Sequence, residues 1–417
     1  MKKFCELTEN EFDAFSSTFT PASFLQSVEM AHAQADWGHE VHYYGIKDGD
    51  EVIAAGLFTV RPYRKIFKIM TATGGMLMDY SNVEDLRILR QGLIDHLGKK
   101  GIAQVQILPS FCLIEHDIEG DIVEGGFDNH DLVNNLLEAG FHHHGYHNHY
   151  ATNDIRWFFH KDLSNIKNSD ELMDSFGGQA RWAVRKTLKF AIRVRDLGPD
   201  ELDKFDRVLE HTAERREFEN RGIEYYRSVY KHFTKAGKAR FLYAELDCDA
   251  YEERLKEMCA EQEAEFAEAS ERFADKPTKK MENRMKVAQE AIDGFNDKLR
   301  ELEEELRPKG RVIPLAAAVF IKHVDSVTYL FSGAYDDYLH FNAPYAIQWE
   351  AMNWALENEI PIYDFYGTAG KYADYDDEGV YHFKKGFGGV VIEKPGTFSV
   401  NPNPFLHKIL SMISDIQ

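Results

Sequence analysis

The sequence predicts a mixed α/β protein of two units, with a long helical hairpin inserted into the second. Three observations carry this reading. At 417 residues the chain exceeds what one ordinary core organises, so two domains plus an insertion are expected. Short alternating apolar runs interleave with helical patterns through residues 1–245 and resume after 310. Between them Met281, Met285, Ala288, Ile292, Phe295, Leu299, Leu302 and Leu306 repeat in an unbroken four-three rhythm, the pattern of a coiled-coil seam.

Composition narrows the class. A hydrophobic content of 44% with 13% aromatic residues supports sizeable cores, and a net charge of -21 argues against unspecific binding to nucleic acid or anionic membranes. Any polyanion must therefore meet a local basic patch. Cys5, Cys112, Cys248 and Cys259 form no CxxC pair, so neither a zinc ribbon nor a disulfide framework is expected. No apolar run has the length of a signal peptide or a membrane span, and a cytosolic location follows as an expectation.

Residues 1–160 form the first expected unit. Helical patterns cover 8–15 and 23–37, 42–46 alternates with 52–60 as a hairpin, and 68–73 with 76–80 reads as a second strand pair. An amphipathic helix over 82–100 is ended by Gly101, and a buried strand over 103–108 stops at Pro109. The run FHHHGYHNHY at 141–150 holds five histidines, but consecutive histidines on an extended segment point to opposite faces, so no metal site is expected.

The second unit covers 161–246 and 308–400, with the antiparallel hairpin at 247–307 and a closing amphipathic helix at 401–417. Residues 169–176 read as a capped helix. The run QARWAVRKTLKFAIRVR at 179–195 carries six basic residues and no acid. At helical spacing Arg181, Arg185 and Lys189 share a face, either as a phosphate-binding stripe or as a solvated face pairing with acids elsewhere. The hairpin turns at Lys276-Pro277-Thr278 and holds 19 acids against 12 bases over 247–309, a poor electrostatic match for RNA. Near the end lie YDFYG at 363–367, an acidic loop, and FKKGFG at 383–388. These read as two strand ends around a glycine-rich connection, which can expose backbone N–H groups and aim a lysine at an oxyanion or a phosphate.

Several chemistries are missing. There is no GxxxxGK(S/T) loop, GxSxG elbow or GxGxxG fingerprint. Two α/β units of this size suggest acetyltransferase-like folding, yet the acyl-coenzyme-A cradle is absent; its nearest approach, Arg195-Asp-Leu-Gly198-Pro-Asp200, ends in the wrong residue.

Taken over its full length the chain resembles the Fem-type (FemABX) aminoacyltransferases, and within them the FemA-like subgroup with a helical arm. The matching pieces run in order: Ser23-Phe-Leu-Gln26-Ser27, Gly75 to Tyr80, Ala139-Gly-Phe141, the basic helix from Arg181, Arg221 to Tyr226, the inserted arm, Ala343 to Glu350, Phe365-Tyr366-Gly367 and Phe383-Lys384. The resemblance implies an α/β (α+β) fold of two acetyltransferase-like (GNAT-like) subdomains with an inserted antiparallel coiled-coil hairpin. It implies an aminoacyltransferase that moves an amino acid from aminoacyl-tRNA to the stem-peptide or bridge amine of a peptidoglycan precursor, without a cofactor. The implied partners are aminoacyl-tRNA and a lipid-linked or UDP-linked muropeptide, together with peripheral contact at the inner face of the membrane and a related Fem-type protein.

In the sites it implies, Lys384 and the backbone of Phe383 hold the tetrahedral intermediate, and Arg221, Tyr225, Asp79, Tyr366 and Gly367 meet the precursor. Arg181, Arg185 and Lys189 are the candidate tRNA or phosphate contacts. Three positions depart from the family pattern: Gln34 where a lysine is frequent, Gly74-Gly75-Met76 for Arg-Gly-Pro, and Leu108 in place of the acid before Pro109. Leu108 leaves the general base open between Asp79, Asp364 and the substrate's own anionic groups. The rival readings are an inactive Fem-like binding protein in a cell-wall complex and an acyl-CoA-dependent N-acetyltransferase.

Overall fold

The computed structural model describes residues 1–63, 67–146, 155–216, 219–368 and 378–413. In chain order the first unit contributes β1 (Lys2–Glu6), α1 (Glu9–Ser16), α2 (Val28–Asp36), β2 (Glu40–Asp48), β3 (Glu51–Tyr63), β4 (Phe67–Gly74), α3 (Val83–Leu97), β5 (Ile102–Pro109), α4 (His130–Glu138) and β6 (His142–His143). The second begins with β7 (Trp157–Asp162), α5 (Ser169–Asp174), α6 (Gly178–Lys189), β8 (Arg193–Asp196), α7 (Leu202–Arg216), α8 (Ile223–Val229) and β9 (Ala239–Asp247). After the arm helices α9 (Cys248–Asp275) and α10 (Lys279–Glu301) come β10 (Val312–His323), β11 (Ser326–Ala334), α11 (Ala343–Glu357), β12 (Ile362–Gly367), α12 (Glu378–Lys385), β13 (Val390–Glu393), β14 (Phe398–Val400) and α13 (Pro404–Ile413).

The two units share one design. Each is a seven-stranded sheet, ordered β1-β2-β3-β4-β5-β14-β6 and β13-β7-β12-β11-β10-β9-β8. Each contains one parallel pair, β4 with β5 and β11 with β12, bridged by the crossover helices α3 and α11. Each sheet has its own core, and a third core joins them: Phe12, Phe24, Met30 and Leu57 of the first unit pack with Phe205, Tyr226, Phe233 and Phe241 of the second. Ion pairs of Glu29 with Lys238 (2.7 Å) and Asp36 with Lys231 (2.9 Å) rim that junction.

The expected division of the chain shifts at both seams. Position 160 falls inside β7, which pairs with β12 and β13 in the second sheet. β14, counted with the second unit, crosses back and pairs with β5 in the first, while Leu406 and Ile409 of α13 pack on Phe67 and Ala103. Sheet pairing is non-local, which is why composition alone does not place these strands. His143 and His144 of the histidine run secure the return: His143 Nε2 donates to Pro395 O, and His144 Nε2 shares a hydrogen bond with Ser399 Oγ, each at 2.8 Å. Residues 147–150 of that run, and the acidic loop 369–377, lie outside the described residues.

Three further local expectations are corrected. The helix expected over 23–37 is a 3-10 turn at Phe24–Gln26 followed by α2, broken at Ser27, whose side chain caps Met30 N. Fully buried Gln26 forces the break by bonding the backbone of Leu57 and Thr73. The strand expected at 76–80 is only a single bridge of Leu77 to Ala55, because Gly74 and Gly75 turn the chain at φ +83° and +78°. The segment around FKKGFG is a helix end, α12, followed by a turn, not a strand end.

The arm follows its sequence closely. α9 and α10 form an antiparallel hairpin whose seam residues Ala288, Ile292, Phe295, Leu302 and Leu306 are buried. Thr278 caps α10 through Met281 N, and α9 reaches about 40 Å at 1.5 Å per residue. Its base is fixed to the sheet by Cys248 N to Arg311 O (2.9 Å) and by Arg307, which pairs with Asp249 (2.7 Å) and Glu303 (2.6 Å).

Candidate active-site cleft

The cleft lies where the second sheet faces the first unit. Along β12, Tyr363 and Phe365 point into the core of the second unit, so Asp364 and Tyr366 point the other way, toward Phe24. Between Asp364 and Gly367 the register against β7 slips by one residue, and Tyr366 is held at φ +62°. A bulky residue in that region costs on the order of 1–3 kcal/mol and needs surroundings that enforce it. They are present: Asp364 Oδ1 accepts from Tyr366 N at 2.7 Å, and the Tyr366 ring packs on Phe158 (5.3 Å) and Phe24 (6.4 Å).

The bulge presents the Gly367 carbonyl to Lys384, whose Nζ donates to it. Lys384 is only 4% exposed, whereas neighbouring Lys385 turns outward to Glu119. Phe383 is the sixth of the eight residues of α12, so its N–H runs along the helix axis toward the carbonyl four residues back. The expected backbone oxyanion role of Phe383 is therefore not offered; its ring instead packs on Tyr345 (4.9 Å) and Phe387 (5.3 Å) and fixes the helix that carries Lys384. The glycines that follow allow close approach: a Cβ on Gly389 would lie 2.3 Å from His160 O.

A second buried lysine sits on the far face of β7. Lys161 Nζ donates to Phe387 O at 2.8 Å, and burial pushes its ammonium down to about 8. On the cleft face of the same strand, His160 Nε2 lies 3.2 Å from Asp364 Oδ1. Burial opposes ionisation of Asp364, but His160, Tyr366 N–H and Lys394 together hold its carboxyl below the ordinary range.

A separate cluster spans the junction of the two units. The Arg221 guanidinium lies over the Tyr225 ring at 5.8 Å, and Tyr225 stacks on Trp37 at 4.3 Å with rings 10° from parallel. Arg61 of β3 faces them; burial, then the Arg221 charge, pushes its guanidinium below the ordinary range. Among the described residues no carboxylate pairs with Arg61 or Arg221, and Trp37 Nε1 and Gln34 Oε1 are buried without partners. Two unpaired guanidiniums beside an orphaned N–H donor suit a compact, multiply charged anion. Gln34, where the family pattern frequently has a lysine, adds no charge here, and the cations of the cluster are Arg61 and Arg221.

The other expected residues scatter. Asp79 is exposed and accepts from Ser81 N (2.8 Å) and Oγ (2.6 Å) in the turn before α3, apart from the cleft residues. The basic run breaks after α6, where Ala191 takes φ +54°, so Arg193 and Arg195 fall on edge strand β8 and pair with Glu245. Arg181 closes the end of α5, donating to Asp174 O (2.7 Å) and Phe176 O (2.9 Å). Arg185 and Lys189 remain exposed, with Trp182 at 59% exposure and Lys186 Nζ 5.0 Å over its ring. The start of this helix touches the lysine element directly, through Gly177 N to Gly386 O at 2.8 Å. Among the described residues no group of three His, Cys, Asp or Glu side chains converges as a metal set, and no helix is long and apolar enough to cross a membrane.

Fold and cleft together define a protein of two mixed α/β units with an inserted helical arm and a buried lysine at their cleft. A model of the FemAB family matches residues 7–415, and the chain belongs to that family. It is 30% identical to aminoacyltransferase FemA of Staphylococcus epidermidis over the whole of both chains. The FemA of Staphylococcus aureus (strain MRSA252) is likewise 30% identical, over 95% of this chain and 94% of that one. The crystal structure of FemX superimposes with a TM-score of 0.79 over 98% of this chain and 99% of that one; at 24% identity it bears on the fold.

Proposed function

We infer that this protein is an aminoacyltransferase of peptidoglycan cross-bridge synthesis, taking an amino acid from aminoacyl-tRNA to an amine of a cell-wall precursor. Its family and the FemA relatives support the activity. The observation that carries the site is buried Lys384, held against the Gly367 carbonyl beside a strained bulge. Aminolysis of an ester needs alignment and a charge where the oxyanion develops, and a preorganised cation in a dry cleft supplies the second.

Arg61 and Arg221 are the proposed grip on the precursor's phosphates, with Tyr225 and Trp37 as the wall behind them. Tyr366 and Gly367 shape the acceptor side, and Asp79 is left to a structural turn. The exposed face of α6, with Trp182, Arg185, Lys186 and Lys189, is the proposed path of the tRNA, because it starts where Gly177 meets Gly386 of the lysine element. No described feature favours the non-catalytic or acyl-CoA alternatives.

The test is in vitro transfer with a panel of charged tRNAs and both lipid-linked and UDP-linked precursors. One tRNA and one acceptor form should give product. Absence of transfer with every combination would sink the proposal.

A further inference from the structure

We propose that His160, oriented by Asp364, is the proton acceptor for the attacking amine. The proposal rests on the acyl-transfer reading above and deepens it, since that reading lacks a base.

The two residues are cross-strand partners on β7 and β12. Alternation along β7 separates the neighbouring candidates: Lys161 points to Phe387 in the core of the second unit, while His160 points into the cleft. Its face is marked by first-unit neighbours. Phe24 meets Tyr366, Ala22 N donates to Asp325 Oδ2 at 3.0 Å, and Lys394 reaches Ser110 O. Along that face the Phe158 and His160 rings lie 6.4 Å apart, and Phe158 is the register partner of Gly367, which anchors Lys384. The partner of His160 on β12, Asp364, and the carbonyl that holds Lys384, Gly367, therefore bound the same bulged stretch of strand.

The arrangement has the parts a general base requires. Asp364 is ionised, and it is fixed by Tyr366 N–H and, at 3.4 Å, by Thr328 Oγ1. A carboxylate on Nε2 favours the proton there, which leaves Nδ1 as the lone-pair nitrogen. Nδ1 has no hydrogen-bond partner among the described residues, and the His160 side chain keeps 18% of its exposure. The charged groups facing the imidazole are Asp364 from β12, Asp325 from the turn between β10 and β11, and Lys394 after β13.

The balance is simple. The acceptor's ammonium first yields one proton to His160 Nδ1, and the freed amine nitrogen attacks the ester carbon as the C–N bond forms. The ester C–O bond then breaks, its electron pair goes to the ribose oxygen, a proton of the attacking nitrogen passes to that oxygen, and the imidazolium releases its proton to solvent. Lys384 holds the intermediate oxyanion throughout.

The experiment uses the full chain, charged tRNA and precursor, with wild type, His160→Gln and Asp364→Asn compared from pH 6.5 to 9.5. His160→Gln is expected to lose about 100-fold in kcat at pH 7 with KM unchanged. The deficit shrinks toward pH 9.5, where the acceptor ammonium deprotonates unaided, and Asp364→Asn falls between. With hydroxylamine as acceptor, already unprotonated at pH 7, His160→Gln matches wild type. Wild-type kcat in His160→Gln at pH 7 overturns the assignment. So does an equal loss at every pH and toward hydroxylamine, which is the outcome of a structural defect. Failure of wild type to transfer at all overturns the acyl-transfer reading instead.

Discussion

The cleft and the arm place their charges in opposite ways. On the arm, charges line an exposed surface and pair with neighbours, as Arg284 does with Glu265 (2.6 Å) and Arg300 with Asp297 (2.8 Å). Such pairs compete with water and contribute little. At the cleft and on the core face of the strand behind it, Lys384 and Lys161 are 4% and 5% exposed, and each donates to a backbone carbonyl. Burying an ammonium costs stability, and a fold keeps it only where the charge is used or can be shed. The contrast separates the two regions by what their charges do: solubility and register on the arm, chemistry in the cleft.

The largest effect expected from breaking this contrast is at Lys384. Lys384→Met should lower kcat by about 100- to 1000-fold, the loss typical of one oxyanion donor, while Lys385→Met leaves it unchanged because Lys385 faces Glu119 at the surface. Steady-state transfer assays on both variants check this, and equal losses in the two would dissolve the distinction between the lysine held at Gly367 and the one paired with Glu119.

Lys161 tests the cost of burial itself. Its ammonium titrates at about 8 when folded against an ordinary 10.5, so the unfolded chain binds more protons between those values. Stability therefore rises with pH through that window, and the penalty is fully present below pH 8. Measured by urea unfolding, wild type should gain roughly 3 kcal/mol on Lys161→Met between pH 7.5 and 10.5. A constant difference between the two proteins would mean that Lys161 remains charged and solvated.

A smaller change is expected where the two units meet. Arg61→Ala or Arg221→Ala should raise the precursor KM about 30-fold, close to 2 kcal/mol for a charge-assisted contact, with kcat retained. Because both guanidiniums address one anion, the double variant should lose less than the product of the single losses. Full additivity would place them on different ligands.

These residues also show what a single sequence carries. The arm is legible because its signal is local: the spacing from Met281 to Leu306 states which face is buried, and the seam residues are buried accordingly. Lys384 was legible through its motif. Arg61, His160 and Lys161 were not, because their meaning comes from strands far away in the chain. His160 acquires its carboxylate by pairing with residue 364, and Arg61 becomes unpaired and crowded only when Arg221 is brought across the junction. The helical state of Phe383 was missed for a related reason: aromatic-polar alternation over a few residues fits a short helix as well as a strand. A local signal for Arg61 does exist in the basic sequence RPYRK directly after the strand expected over 52–60, to which no role was assigned.

The smallest expected effect asks whether the arm is energetically separate. Ile292 is 9% exposed in the seam and belongs to the same apolar cluster as Phe387 and Phe365 beneath the cleft. Ile292→Val removes one methylene and should cost about 1 kcal/mol of stability, read from the shift in urea midpoint. If the arm is held to the second unit only by its base, at Leu302, Leu306 and Arg307, kcat stays at the wild-type value. A fall in kcat of the size expected for the cleft residues would show that packing in the seam reaches Lys384 through the shared cluster, and the division between a structural arm and a chemical cleft would then give way to one coupled unit.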